Sequence, residues 1–160
     1  MEVDSGRLEW DDRVIDHFPE FRMFDPSVTR ECRVEDTMAQ RSGQAAYVTD
    51  ALYALGRSRE QILTAMRRVE PISSFRSQFA DVNNIWLVTA RVLESVAGKS
   101  WEDQIESRIF QPLGMTNSST DLGSLLSAPN HASPHHWTTK GTVVGSDSAG
   151  GWVYTAGPAG

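Results

Sequence analysis

Cysteine occurs once in these 160 residues, at Cys32, so the chain can form no internal disulfide and signals no oxidising compartment. No histidine neighbours Cys32 in sequence, and it reads as a small residue packed at a helix start rather than a nucleophile. Lysine occurs twice, at Lys99 and Lys140, and the remaining basic residues are arginines. With a net charge of −6 and a pI of about 5.1, the chain offers no broad positive field to nucleic acid or an anionic membrane. The pairs Arg57/Arg59 and Arg67/Arg68 read as solvated helix faces. Long apolar runs are missing too. Residues 85–90 form the longest, far below the roughly 20 residues a membrane-spanning helix needs. The opening MEVDSGRLEW is acidic and has no apolar segment of the secretory-leader type. A fixed-period repeat, a low-complexity tract and a Gly-x-Ser-x-Gly elbow are all lacking. DSAGGW, near the end, lacks the basic residue and following helix that would make it a phosphate loop. These absences predict a soluble chain, cytoplasmic as it stands, with no nucleic-acid or membrane partner.

Apolar residues make up 39% and charged residues 22%, a globular balance with enough material for one core. WDDRVIDHFPEF predicts a short helical turn stopped by Pro19, with Val14, Phe18 and Phe21 facing inward. DPSVTREC reads as a proline-started turn, followed by a helix over about 33–40 that Gly43 ends in the left-handed conformation. Ser58 and Gln61 form a capping box before Ile62, Leu63, Met66 and Val69, and Pro71 closes that helix. The strongest helix is predicted over about 83–97, where Ile85, Val88, Val92, Leu93 and Val96 make one stripe, with Gly98 as its cap. Ser100 and Asp103 restart a helix through Ile109, broken at Pro112 and Gly114. Beyond Ser118 the chain turns rich in Gly, Ser and Thr, with β-prone runs only at 142–144 and 152–155. The expected architecture is mainly α: a helical lobe over about 6–118 and a loop-rich segment over 119–160 with little sheet.

GRLEWDDRVIDHFPEFR, RSG at 41–43, FRSQFADVNN, RVLESVAGKSWEDQIESRIFQPLGMT and the closing GPAG occur in one order. In that order they resemble the serine beta-lactamase-related hydrolases, the group of class C beta-lactamases, D-alanyl-D-alanine carboxypeptidases and related esterases. The resemblance runs from about Gly6 to Gly160 and is most specific over 91–116. It implies the helical lobe of the transpeptidase-like α+β fold, here cut at both ends. It also implies hydrolysis of a small-molecule amide or ester through an acyl-serine, with no metal and no organic cofactor.

The chemistry of that family needs a serine with an amine one helical turn away to take its proton. Val96 and Trp137 stand three residues before the two lysines, so no Ser-x-x-Lys occurs in these 160 residues. The family's Tyr-x-Asn falls on Asp81-Val82-Asn83. Asn83 keeps the residue whose implied task is contact with the substrate amide. Asp81 replaces the phenol of the proton relay, and a carboxylate with a reference pKa of ~3.9 is too short and too acidic to inherit that role. Lys140-Gly141-Thr142 holds the residue types of the family's Lys-Thr-Gly strand, but in the wrong order and before GPAG. The expected reading is a chain inactive alone, with a non-catalytic binding module or one part of a split enzyme as the alternative. A lobe cut from its sheet is further expected to expose apolar surface and self-associate. The local expectation for Asp81 or Asn83 is that one accepts from the first backbone N–H groups of the following helix.

His131, His135 and His136 are close in sequence, but they straddle Pro134 without an acid and read as loop residues rather than a metal site. Ser42, His17 and Asp36 supply triad residue types at positions only geometry can test. The five tryptophans are spread along the chain and read as core or inner-wall residues.

Overall fold

Helix α6 (Ile85–Ala97) is the axis of the molecule, and the other elements are arranged to cover it. The computed structural model describes residues 1–131, 135–137 and 143–145. In order these are α1 (Val14–His17), α2 (Pro26–Glu31), α3 (Val34–Ala39), α4 (Ala51–Ala54), α5 (Arg59–Met66), α6 and α7 (Trp101–Ile105). A π-helical turn (Glu106–Phe110), α8 (Leu122–Ser127), and the strands β1 (His135–Trp137) and β2 (Val143–Gly145) follow.

The α6 stripe turns inward as its spacing predicts, with Ile85, Val88 and Val92 fully buried and Leu93 and Val96 half-buried. Leu87, Thr89 and Ala90 are buried as well, so the first half of α6 is covered around most of its circumference. α1, α3, α5 and α7 all pack on it. Leu8, Val14, Phe21, Met23, Val34, Met66 and Val82 complete the core. Where α3 meets α6, the hydroxyls of Thr37 and Thr89 bond to each other at 2.8 Å, satisfying two polar groups that burial would otherwise penalise.

Local chemistry sets the ends of the helices. Ser58 and Gln61 form the expected capping box at α5: Ser58 Oγ accepts from Gln61 N, and Gln61 Oε1 accepts from Ser58 N. Gly98 adopts φ +65° and closes α6 through its N–H to Glu94 O. Ser100 Oγ accepts from Asp103 N and starts α7 as anticipated.

Several boundaries differ from expectation. α5 ends at Met66, five residues before Pro71, and α3 ends in a left-handed Gln40 rather than at Gly43. Gln40 tolerates this geometry because its side-chain oxygen accepts from Val82 N and its own carbonyl accepts from Ala80 N. The turn at 25–31 is a helix, α2, with Asp25 capping Ser27 N. α4 and α8 had no apolar periodicity to announce them, and α8 begins on an Asp121 cap to Ser124 N. β1 and β2 pair antiparallel with His136 opposite Val144, so the 142–144 run supplies part of a strand. The 152–155 run and Lys140-Gly141-Thr142 lie outside the described residues. No described helix is long and apolar enough to cross a membrane.

Candidate functional site

Two irregular segments, 40–50 and 71–84, meet at the N-terminal end of α6 and present Asp81 and Asn83. Their join is a run of backbone bonds: Ile72 N and Ser73 N donate to Gly43 O, Arg76 N to Arg41 O, Ala80 N to Gln40 O, and Tyr47 N to Asp81 O at 2.7 Å. The Arg41 guanidinium also donates to Arg76 O. Gly43 is required where it stands: its φ is +86°, and a Cβ there would lie 2.5 Å from Ser73 O.

Arg76 fixes this join to the helices. Its Nε and Nη2 each donate at 2.7 Å to the Asp36 carboxylate, and Nη2 also reaches Glu31 O. The guanidinium lies 4.6 Å from the Phe75 ring centre. Asp36, buried in the first turn of α3, accepts from Arg33 N as well, so one carboxylate both caps a helix and anchors the loop. The carboxylate next to Arg76 raises that guanidinium's pKa from an already high value.

Around Asn83 the side chains turn back on the 48–50 loop. Asn83 Nδ2 donates to Asp50 Oδ2 at 2.7 Å. Asn84, fully buried, donates from Nδ2 to Thr49 Oγ1 at 2.7 Å, to Asp50 Oδ1 at 3.2 Å and to Val48 O at 3.3 Å. The expectation that Asp81 or Asn83 caps α6 is therefore corrected. The N-cap is Asn84, it has no side-chain cap bond, and the Asn83 and Asn84 amides are committed to Asp50 instead. One N–H of Asn83 is used, and its second N–H and Oδ1 have no partner among the described residues. The Asp81 carboxylate accepts no hydrogen bond among the described residues.

Backbone strain collects at the same place. The non-glycine residues with positive φ, among those described, are Gln40, Tyr47, Thr49 and Arg76, all in the two joined segments. Such conformations cost energy and persist only where surroundings dictate them. Two phenols stand on this side, Tyr47 and Tyr53. Burial pushes the Tyr53 hydroxyl up to about 12, with Asp50 adding to the rise against Arg59, so it stays protonated at neutral pH.

The other sequence candidates are dispersed. His17 bonds Asp12 at 2.8 Å, Asp36 bonds Arg76, and Ser42 is buried in the loop where its Oγ accepts from Gln44 N. They form no triad. Burial, with the Asp36 charge, lifts the Cys32 thiol to about 12, which leaves it without thiolate at neutral pH. Asp50, Asn84 and Arg76 were missed as site builders. The doubled Asn83-Asn84 after an irregular stretch was the only local sign of a polar anchor.

A family model described as Beta-lactamase matches residues 1–158. Penicillin-binding protein 4 of Amycolatopsis lactamdurans is 28% identical over 131 residues, covering 74% of this chain. The chain spans 31% of that relative's length. Among solved structures, the octameric penicillin-binding protein homologue from Pyrococcus abyssi superposes with a TM-score of 0.73 at 20% identity. That match covers 90% of this chain and 34% of the other. A D-stereospecific amidohydrolase from Streptomyces sp. gives 0.74 at 17% identity, covering 90% and 46% respectively. The described residues thus have the fold of a helical part of such proteins.

Proposed function

Because the chain belongs to the beta-lactamase family, we propose that it forms the substrate-facing helical lobe of an acyl-serine hydrolase fold, and that these 160 residues alone do not catalyse amide or ester hydrolysis. Asn83 is the residue assigned to substrate contact. The observation that carries this reading is the arrangement at 81–84. Asn83 is held by Asp50 with its second N–H and Oδ1 unpartnered among the described residues, while the neighbouring relay position is the carboxylate of Asp81.

Acyl transfer needs a deprotonated hydroxyl in reach of the scissile carbonyl, and a base whose proton affinity matches that task. Asp81 lacks the reach and basicity of a phenolate, and no Ser-x-x-Lys in this sequence supplies the nucleophile. The relatives' names, penicillin-binding protein and D-stereospecific amidohydrolase, support an amide as the substrate class. Purified protein is expected to leave nitrocefin and p-nitrophenyl acetate at their uncatalysed hydrolysis rates. Turnover abolished by a single serine-to-alanine change would overturn the reading.

A second reading has its own observation. Tyr47, Ile72 and Phe79 are 62%, 74% and 72% exposed on the two segments that build the site. Large apolar groups left exposed on the segments that build the site support a contact surface there. As a binding module or one part of a split enzyme, the chain would use this face to meet another polypeptide, and alone it would meet a second copy. Sedimentation equilibrium is expected to show concentration-dependent self-association that Ile72→Ser with Phe79→Ser weakens at least fivefold. A monodisperse monomer that melts cooperatively would contradict this reading.

A further inference from the structure

We propose that residues 45–50 form a latch over the carboxamides of Asn83 and Asn84, one that opens as a unit while the helices stay folded. The latch works whether or not Asn83 meets a substrate.

Its closed form is strained. Tyr47 and Thr49 have φ of +57° and +69°. In that left-handed region a side chain crowds the following carbonyl oxygen, and the branched Cβ of Thr49 fits worst. Opening returns both residues to ordinary backbone angles.

A polar atom is stranded beneath the loop. Asn84 is fully buried, and its Oδ1 has no hydrogen-bond partner among the described residues. The acceptors of its Nδ2 all lie in the loop: Val48 O, Thr49 Oγ1 and Asp50 Oδ1. Those bonds place 48–50 directly against the amide, so moving the loop away admits water to the orphaned oxygen. A buried polar atom without a partner destabilises the closed form by its lost hydration, which opening restores.

Little holds the latch shut. Tyr47 N donates to Asp81 O and Asn83 Nδ2 to Asp50 Oδ2, both at 2.7 Å, and Asn84 adds its bonds to the loop. Water replaces each of these in the open form. Val48 packs beside the core, but Ala46 and Tyr47 are exposed. The preceding chain is pinned: Gln44 Nε2 donates to Met66 O, and Gly43 O accepts from Ile72 N and Ser73 N. Movement therefore starts after Gln44. A segment with few apolar contacts and a backbone near solvent opens below the limit set by global unfolding.

The two forms differ in what they offer at the head of α6. Closed, Asp50 takes one N–H of Asn83 and the Asn84 amide is out of reach. Open, both carboxamides are released, and a ligand that bonds both selects this form.

Hydrogen exchange across a low-urea series tests the latch on unaltered protein. The Tyr47 N–H and the Asn84 side-chain amide are expected to share one protection factor within fivefold, because one motion exposes both. That factor should lie at least tenfold below those of Val88 and Val92 in α6 and vary less with urea. Tyr47→Asn places a residue that tolerates the left-handed region at an exposed position, and should raise protection at both groups. Asp50→Ala removes two bonds of the closed form and should lower it at both groups at least tenfold. Protection at Tyr47 equal to that in α6, with the same urea dependence, would mean that 45–50 opens only with the whole fold and would overturn the latch. A mismatch beyond fivefold between Tyr47 and Asn84, or lower protection in Tyr47→Asn, would overturn it too. Should Asp50→Ala fail to fold, the wild-type and Tyr47→Asn measurements still decide.

Discussion

Arg76→Ala is expected to lower the free energy of unfolding by about 3 kcal/mol, the low end of the cost of stripping one partner from a buried ion pair. The low end applies because Asp36 is 8% exposed but the Arg76 side chain is 41% exposed, so water screens one half of the pair. The change does more than remove charge. It deletes two 2.7 Å bonds to Asp36 and the bond to Glu31 O, and it bares the face of Phe75. Asp36 would keep only the Arg33 N–H as a strong partner. For a chain of this size the loss corresponds to roughly 6–12 °C in melting temperature. Arg76→Lys restores charge without the two-pronged geometry and should recover less than half of the loss. Urea unfolding followed by helical circular dichroism measures both, and a loss below about 1 kcal/mol for Arg76→Ala would show that the pair does not anchor the loop.

Gly43→Ala is expected to cost about 2–4 kcal/mol, from a left-handed backbone that resents a side chain together with a collision. The added carbon would fall 2.5 Å from Ser73 O, a backbone atom held in place because Ile72 N and Ser73 N both donate to Gly43 O. Relief requires the 71–75 segment to move, and Arg76 and Asn83 lie just beyond it. Gly98→Ala is the control: its φ of +65° is also left-handed, but nothing lies within 4 Å of the new carbon. That variant should lose only about 1 kcal/mol. Equal losses at the two glycines would mean that the close approach at Gly43 is not rigid.

Helices with an apolar stripe or a paired cap were legible in the sequence. α6 follows from its repeat at three and four, α5 from Ser58 and Gln61, and α7 from Ser100 and Asp103, because each signal lies within one helical turn. α4 and α8 carry no such stripe, and their four and six residues are fixed by what surrounds them. The π-helical turn after α7 was likewise invisible, since an i to i+5 bond leaves no residue signature of its own. The site divides along the same line. Asp81 and Asn83 could be found by their place in a motif. Their partners, Tyr47 for Asp81 and Asp50 for Asn83, lie 34 and 33 residues away, and no spacing rule reaches that far. Arg76 illustrates the limit best. In sequence it is one arginine among many, whereas in the fold it joins Glu31, Asp36, Arg41 and Phe75.

The absence of an activated hydroxyl from these residues is the central claim, and covalent labelling tests it without assuming any substrate. Purified protein is incubated with a fluorophosphonate and, separately, with penicillin G, and its intact mass is then measured. An unchanged mass in both samples is the predicted result. A stoichiometric phosphonyl or penicilloyl adduct, mapped to one serine, would contradict the account.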